Sequence, residues 1–157
     1  MRDNPLRQLL GSIESGDGAW TAMLGRLDEL DLEAPPDSAA VRAEVMSYLD
    51  DTATLLDTLA VAVEGGRVDW VEILDAAHSY LGNRDDLVTD DEGVMGILDD
   101  AYLCRSLLRQ AAETSADPPV DVTAVPAERV VRALLGGPVT ATLDVAAQQT
   151  VRDIRRV

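Results

Sequence analysis

Five of the six aspartates between positions 85 and 100 are the residues whose type and spacing best suit metal chemistry. They are Asp85, Asp86, Asp90, Asp99 and Asp100. Several carboxylate oxygens brought together form a site for a hard cation such as Mg²⁺ or Ca²⁺. The sequence has neither EF-hand spacing nor the Glu-x-x-His pairs of di-iron bundles. A divalent-metal site, with or without enzymatic activity, is one hypothesis. The alternative is that these aspartates cap helices and pair with Arg84 or Arg105.

The second aspartate pair does not meet the first group automatically. Nine residues separate Asp90 from Asp99, which is about 13 Å along a helix. Asp99 lies beside the apolar face of its helix, where a carboxylate must be hydrogen-bonded to be tolerated. We therefore expect Asp99 or Asp100 to be buried and bonded to the backbone of the loop at positions 83–89.

Other reactive side chains are few. The single histidine is His78 and the single cysteine is Cys104. We expect His78 on the surface or near a helix cap, and Cys104 in the core as a small apolar residue rather than a nucleophile. One cysteine excludes an internal disulfide, and no Cys/His spacing typical of zinc sites is present. The lack of a catalytic constellation favours a non-enzymatic protein.

Apolar residues at helical spacing run through nearly the whole chain and predict an all-α fold. The expected helices cover about 5–13, 19–32, 38–63, 70–81, 90–112, 127–135 and 138–154. We predict a compact bundle of six or seven helices with short loops, formed by residues 1–157 as a single domain. Residues 78–108 form its helix–acidic loop–helix core, and residues 115–122 link it to the two C-terminal helices.

Local signals predict how these helices begin and end. Asp69 with Glu72 and Thr89 with Glu92 have capping-box spacing, and Gly82 suits the left-handed position after a helix end. Trp20 and Trp70 are expected to anchor the core. The acidic residues of the longest helix are expected on a solvated side, and they are Asp50, Asp51 and Asp57.

A pattern of short motifs lies between Tyr80 and Tyr102. Its parts are Tyr80-Leu81, then Asp85-Asp86-Leu87-Val88 with Asp90, then Gly96 with Leu98-Asp99-Asp100-Ala101-Tyr102. Over residues 78–108 the chain thereby resembles the YkvA-like domain of unknown function, a small helical family of bacterial proteins. Both prolines of the family's loop are replaced, one by Arg84 and one by Thr89.

The resemblance implies a bacterial protein with a helical fold and a site at the acidic loop, without implying a reaction. We assign five residues of this stretch as structural or interaction positions, namely Tyr80, Arg84, Thr89, Gly96 and Tyr102. Thr89 can cap the helix that the family's proline would begin.

Charge is strongly negative and unevenly distributed. The net charge is −16, and all 13 basic residues are arginine. Residues 1–66 carry −9 and residues 67–113 carry −7, whereas residues 114–157 are neutral. Direct binding of nucleic acid or an anionic membrane needs cationic contacts, so both are disfavoured. No run approaches the roughly 18 apolar residues of a membrane span. With no signal-peptide pattern, we expect a soluble cytoplasmic protein.

Three functions fit these features. The first is a non-enzymatic interaction or adaptor module whose acidic surface attracts a protein with a basic patch. The second is the divalent-metal site described above. The third is an acidic mimic of DNA, which the neutral final third of the chain weakens. The helix faces permit a homo-oligomer without requiring one.

Overall fold

The computed structural model describes residues 4–13, 20, 23–25, 38–82, 93–123 and 125–155. Six α-helices have their bounds within this part of the chain. They are α1 (Pro5–Ile13), α2 (Ser38–Glu64), α3 (Val71–Gly82), α4 (Val94–Glu113), α5 (Ala127–Leu135) and α6 (Gly137–Arg155). A 3₁₀ helix at Val68–Trp70 precedes α3. The predicted compact all-α bundle is confirmed.

Helix α4 lies at the centre of the bundle. It contacts each of the other five helices, and most extensively α6 and α3. Its buried positions run from Val94 to Ala111 and occupy every side of the helix, not only the predicted apolar face. That burial extends to polar side chains, because Asp99, Asp100 and Arg105 are each at most 3% exposed.

The core consists mainly of aliphatic side chains with a few large rings. Both tryptophans are buried, Trp20 at 4% and Trp70 at 0% exposure, as predicted. Tyr48 and Tyr102 are the other large rings in the core. Each fully buried leucine or ring stabilises the fold by about 1.5–3 kcal/mol relative to an exposed one. The second predicted helix, 19–32, falls largely outside the described residues, although residues 23–25 are helical there.

Helix ends are where prediction and structure differ. Helix α4 begins at Val94 with Gly93 as its N-cap, and the predicted cap at Thr89 lies outside the described residues. Gly93 has φ 63°, a conformation that glycine adopts without steric cost. Asp69 lies within the 3₁₀ helix and accepts bonds from Arg67 instead of capping α3. Gly82 is the last residue of α3 and does not have a positive φ.

The acidic residues of α2 are not simply a solvated side. Arg7 of α1 donates to Asp57 over 2.7 Å and to Asp50 over 3.2 Å. Asn4 also donates to Asp57, over 2.8 Å. Asp51 accepts a 2.6 Å bond from the buried Arg105. The carboxylates therefore attach α1 and α4 to α2, which the periodicity of one helix cannot indicate.

Residues 114–126 connect α4 to α5, and those of them that are described contain no α-helix. Val120 is 4% exposed, so part of this connection packs against the core. Arg67 donates to the carbonyl of Asp117, and Arg105 to that of Thr123, each over 2.8 Å.

Within the described segments, no individual helix combines the length and apolarity of a membrane span. Helices α5 and α6 pass that test only as a pair, across a bend of 105°.

Candidate functional site

The predicted acidic loop falls outside the described residues. Asp85, Asp86 and Asp90 belong to it, as do Arg84 and Thr89. The structure does describe Asp99 and Asp100, in the first two turns of α4, at 1% and 3% exposure. The expectation that one of them is buried is confirmed, and both are. The predicted bond to residues 83–89 lies outside the described residues.

The sulfur-containing and imidazole side chains occupy structural positions. Cys104 is fully buried and its Sγ donates to the Ala77 carbonyl over 3.3 Å. Burial, and then the nearby charge of Asp100, raise the pKa of the Cys104 thiol well above its usual value. A thiol in this environment stays protonated. The full burial of Cys104 confirms its assignment to the core. His78 is half-buried on α3.

Across the described ranges, no three His, Cys, Asp or Glu side chains converge in a way that could hold a metal ion. Asp99 and Asp100 alone therefore do not form such a site. The predicted Mg²⁺ or Ca²⁺ site, built from these two and the three loop aspartates, stays a prediction.

A polar cluster that the sequence analysis missed lies between α4 and α6. The Tyr102 hydroxyl donates to both oxygens of Asp144, at 3.0 and 3.1 Å. Ser106 Oγ donates to Asp144 Oδ1 over 2.8 Å, and Gln110 Nε2 donates to the Asp144 carbonyl over 3.0 Å. Three side chains of one helix therefore hold a single residue of another.

Burial keeps the Tyr102 hydroxyl protonated. It raises the pKa of Tyr102 to about 12, with the negative charge of Asp144 contributing in the same direction. The hydroxyl is therefore a permanent donor to Asp144 at neutral pH, and not a general base. Sequence spacing does offer a signal for this cluster. Tyr102, Ser106 and Gln110 recur every four residues and so share one face of α4.

Two arginines flank this cluster. The Arg132 guanidinium lies 5.5 Å from the centre of the Tyr102 ring, and its Nη2 is 3.9 Å from Asp144 Oδ2. Arg109 donates to Glu128 over 2.8 Å. Together these side chains border a groove of about 350 Å³ between α4, α5 and α6. The groove is lined by Ser106, Arg109, Gln110, Glu113, Arg132, Asp144, Val145 and Gln148.

The buried Arg105 forms a second polar centre, between α2 and α4. Its guanidinium bonds Asp51 and the Thr123 carbonyl, and it lies 5.4 Å from the centre of the Tyr48 ring. Burial raises the pKa of Tyr48 well above its usual value. The Tyr48 hydroxyl and Arg105 Nε are buried without a hydrogen-bond partner. The arrangement connects α2, α4 and the 114–126 connection.

Two of the residues marked by the family resemblance contact α6. Tyr102 bonds Asp144, as described above, and the Tyr80 hydroxyl lies 2.5 Å from Thr150 Oγ1. Gly96 is buried in the first turn of α4, and its N–H donates to the Gly93 carbonyl over 3.1 Å. Tyr80 and Tyr102 therefore join helices, whereas Gly96 bonds within the start of its own helix.

The segment Val61–Asp75, from the end of α2 into α3, has an exposed surface of mixed character. Two of its valines, Val61 and Val68, are 56% and 76% exposed. Its exposed carboxylates are Glu64, Asp69, Glu72 and Asp75. We call this surface the acidic edge. Its single arginine, Arg67, bonds Asp69 and the Asp117 carbonyl.

Comparison with known proteins gives no relative. No family model, no curated protein and no solved structure matches this chain. The resemblance to the YkvA-like domain therefore stays a prediction.

Proposed function

We propose that this chain is a non-enzymatic interaction module that binds a partner protein carrying a basic patch. The observation that supports it is the acidic edge, where two exposed valines accompany four exposed carboxylates. Exposed apolar side chains bordered by charge are typical of surfaces that bind other proteins. The carboxylates attract a basic partner, and the valines offer apolar area for it to cover.

The charge of the whole chain also favours a cationic partner. A net charge of −16 creates a field that speeds the approach of a cationic partner and repels an anionic one. Among the exposed carboxylates that are described, six belong to α2, the 3₁₀ helix or α3. They are Glu44, Asp50, Glu64, Asp69, Glu72 and Asp75. Among the described residues of the neutral last third, the exposed arginines lie on α5 and α6 instead, and they are Arg129, Arg132, Arg152 and Arg155.

The test is site-specific cross-linking in the native host. A photoreactive amino acid replaces Val68 in one sample and Ala133 in the other. Ala133 is exposed on α5, belongs neither to the acidic edge nor to the lining of the groove between α4, α5 and α6, and is the control. We expect a protein cross-linked only through position 68, with the attached peptide rich in Arg or Lys. Identical products from both positions, or none from position 68, would contradict the proposal.

A charge variant tests the recognition itself. Glu72→Gln with Asp75→Asn removes two charges from the acidic edge at positions that are exposed. We expect the cross-link through position 68 to weaken in this variant and to weaken with added salt in the parent, because exposed charges are screened. Loss of the cross-link when duplex DNA is added to a host lysate before irradiation would identify the acidic edge as a mimic of DNA. An unchanged yield in the variant would exclude charge recognition there.

A further inference from the structure

The carboxylate of Asp144 has acceptor capacity that the fold does not use. A carboxylate offers about four lone-pair positions, and only two hydroxyl protons, from Tyr102 and Ser106, are directed at it. The side chain is 38% exposed and lines the groove between α4, α5 and α6. Its orientation is fixed from the protein side, which leaves the remaining acceptor positions for a ligand.

More acceptors line the same groove. Gln110 uses its Nε2 for bonds to Asp144 and Ser106, so its amide oxygen remains as an acceptor. Glu113 and Gln148 are exposed at the groove. The Arg109 guanidinium also lines the groove, and its Nη2 donates to Glu128 at the beginning of α5. A ligand that uses the acceptors of Asp144, Gln110, Glu113 and Gln148 must bring several N–H groups.

Arg132 shows what kind of donor the groove accommodates. Its guanidinium lies over the Tyr102 ring, yet it is 3.9 Å from Asp144, which is too far for a hydrogen bond. Its side chain is 47% exposed. Arg132 therefore neutralises part of the groove's charge without saturating its acceptors. Val145, 64% exposed beside it, offers apolar contact for the stem of a longer cation.

We propose that this groove binds a guanidinium group that comes from outside the chain. A guanidinium is planar and presents five donors, which matches the carboxylate and amide acceptors on the wall. The group can belong to a free small molecule or to an arginine side chain of a partner protein. The site lies on α4, α5 and α6, so it is separate from the acidic edge and does not depend on the function proposed for that edge.

Titration followed by NMR of ¹⁵N-labelled protein tests the proposal. The probes are ethylguanidinium and a short peptide whose one central arginine is its only charged group. The peptide is compared with the same peptide containing citrulline, and both probes are compared with NaCl. We expect saturable shifts of the Gln110 and Gln148 side-chain amides with the guanidinium probes only. Stronger binding of the peptide would identify a partner's arginine as the source, and equal binding would identify a small molecule. Equal shifts with citrulline or NaCl, or shifts confined to other helices, would overturn the proposal.

Three variants are expected to change the affinity in three different ways in the same titration. Glu113→Gln removes an acceptor charge and should weaken binding by roughly two- to fivefold, as expected for an exposed ion pair. Arg132→Gln removes the resident cation and should strengthen binding by a similar factor. Glu72→Gln removes a charge from the acidic edge and should leave binding unchanged. Equal weakening by Glu113→Gln and Glu72→Gln would mean that only the net charge matters, and would overturn the site.

Discussion

Asp144 and Arg105 show how individual charged residues hold this bundle together. Each is contacted by elements distant in sequence, since Tyr102 lies 42 residues from Asp144 and Asp51 lies 54 residues from Arg105. Hydrogen bonds to charged groups contribute about 1.5–3 kcal/mol each, more than bonds between neutral groups. Removal of single side chains should therefore cost more stability at these buried charged residues than at exposed ion pairs.

The Asp51–Arg105 pair should contribute more to stability than the adjacent surface pair. Asp51→Ala leaves a guanidinium that is 3% exposed without its carboxylate. We expect a loss of about 2–3 kcal/mol in the free energy of unfolding, because Asp51 itself is partly exposed and a fully buried pair would cost more. Asp50→Ala, the neighbouring control, removes only the exposed pair with Arg7 and should change stability by less than about 1 kcal/mol. Urea unfolding measures both, and equal losses would contradict the role of Arg105.

Tyr102 should make the fold sensitive to alkaline pH. Its folded pKa of about 12 is above the ordinary value of 10.0, so the folded state holds this proton more tightly than the unfolded state. The stabilisation is complete below pH 10 and decreases between pH 10 and about 12. Over that interval the free energy of unfolding falls by about 1.4 kcal/mol per pH unit, because the folded state binds one proton more than the unfolded state.

Tyr102→Phe should therefore flatten the fall in stability above pH 10, and lower stability by about 1.5–3 kcal/mol at neutral pH. The pKa values of Tyr48 and Tyr80 are also raised, so the variant keeps part of the alkaline fall. Chemical unfolding at several pH values measures the difference. A variant whose pH profile runs parallel to that of the parent would show that Tyr102 titrates normally.

At the scale of the elements, the start of α4 depends on one backbone conformation. Gly93 combines φ 63° with ψ −119°, a region that residues with a Cβ rarely occupy. Gly93→Ala should therefore destabilise the protein by about 1–3 kcal/mol. Gly82→Ala is the control, since Gly82 is helical without a positive φ and has open space where a Cβ would be. Thermal unfolding should show a loss for position 93 and no loss for position 82. Equal behaviour would mean that Gly93 is not required for that turn.

The helices were predictable from sequence because their information is local. Helix α5 at Ala127–Leu135 follows directly from Pro126 and the Gly136-Gly137 stop, and apolar spacing identified the core-facing positions of α2 and α4. The candidate groove was not predictable in this way. It requires α6 to place Asp144 against the polar stripe of α4, and no periodicity of α4 alone indicates which residue another helix places there.

Burial of α4 on every side is a property of the whole bundle that the helix alone does not specify. One face was expected to be apolar, and the structure adds polar positions that are covered by the connection and by α5 and α6. Arg105 is covered partly because Thr123 of the connection accepts its second bond. Such covering depends on how several elements pack together. A charged residue in the sequence therefore predicts an exposed position even where, as for Arg105, the fold buries it.

The net charge of −16 leads to a prediction for the entire molecule. Like charges repel in the folded state, so added salt should raise the melting temperature by screening that repulsion, with a Debye length of about 10 Å at 0.1 M. If the loop aspartates and Asp99 or Asp100 hold a cation, Mg²⁺ or Ca²⁺ should do more than NaCl at matched ionic strength. A ligand at about a hundred times its Kd stabilises by about 2.7 kcal/mol, which corresponds to several degrees in a chain of this size.

Two variants distinguish bound metal from screening in these thermal melts. Asp86→Asn removes a predicted ligand, and Asp153→Asn removes a carboxylate that is exposed on α6 and far along the chain from the loop. A bound ion predicts that the extra stabilisation is lost at position 86, is retained at position 153, and disappears with EDTA. Screening predicts the same response to every salt of equal ionic strength in the parent and both variants. Metal binding depends on which ion is added and on which aspartate is replaced, whereas screening depends on neither. An equal response to all salts in all variants would therefore exclude the metal site. The acidic residues would then act only through their negative field, which attracts a basic partner.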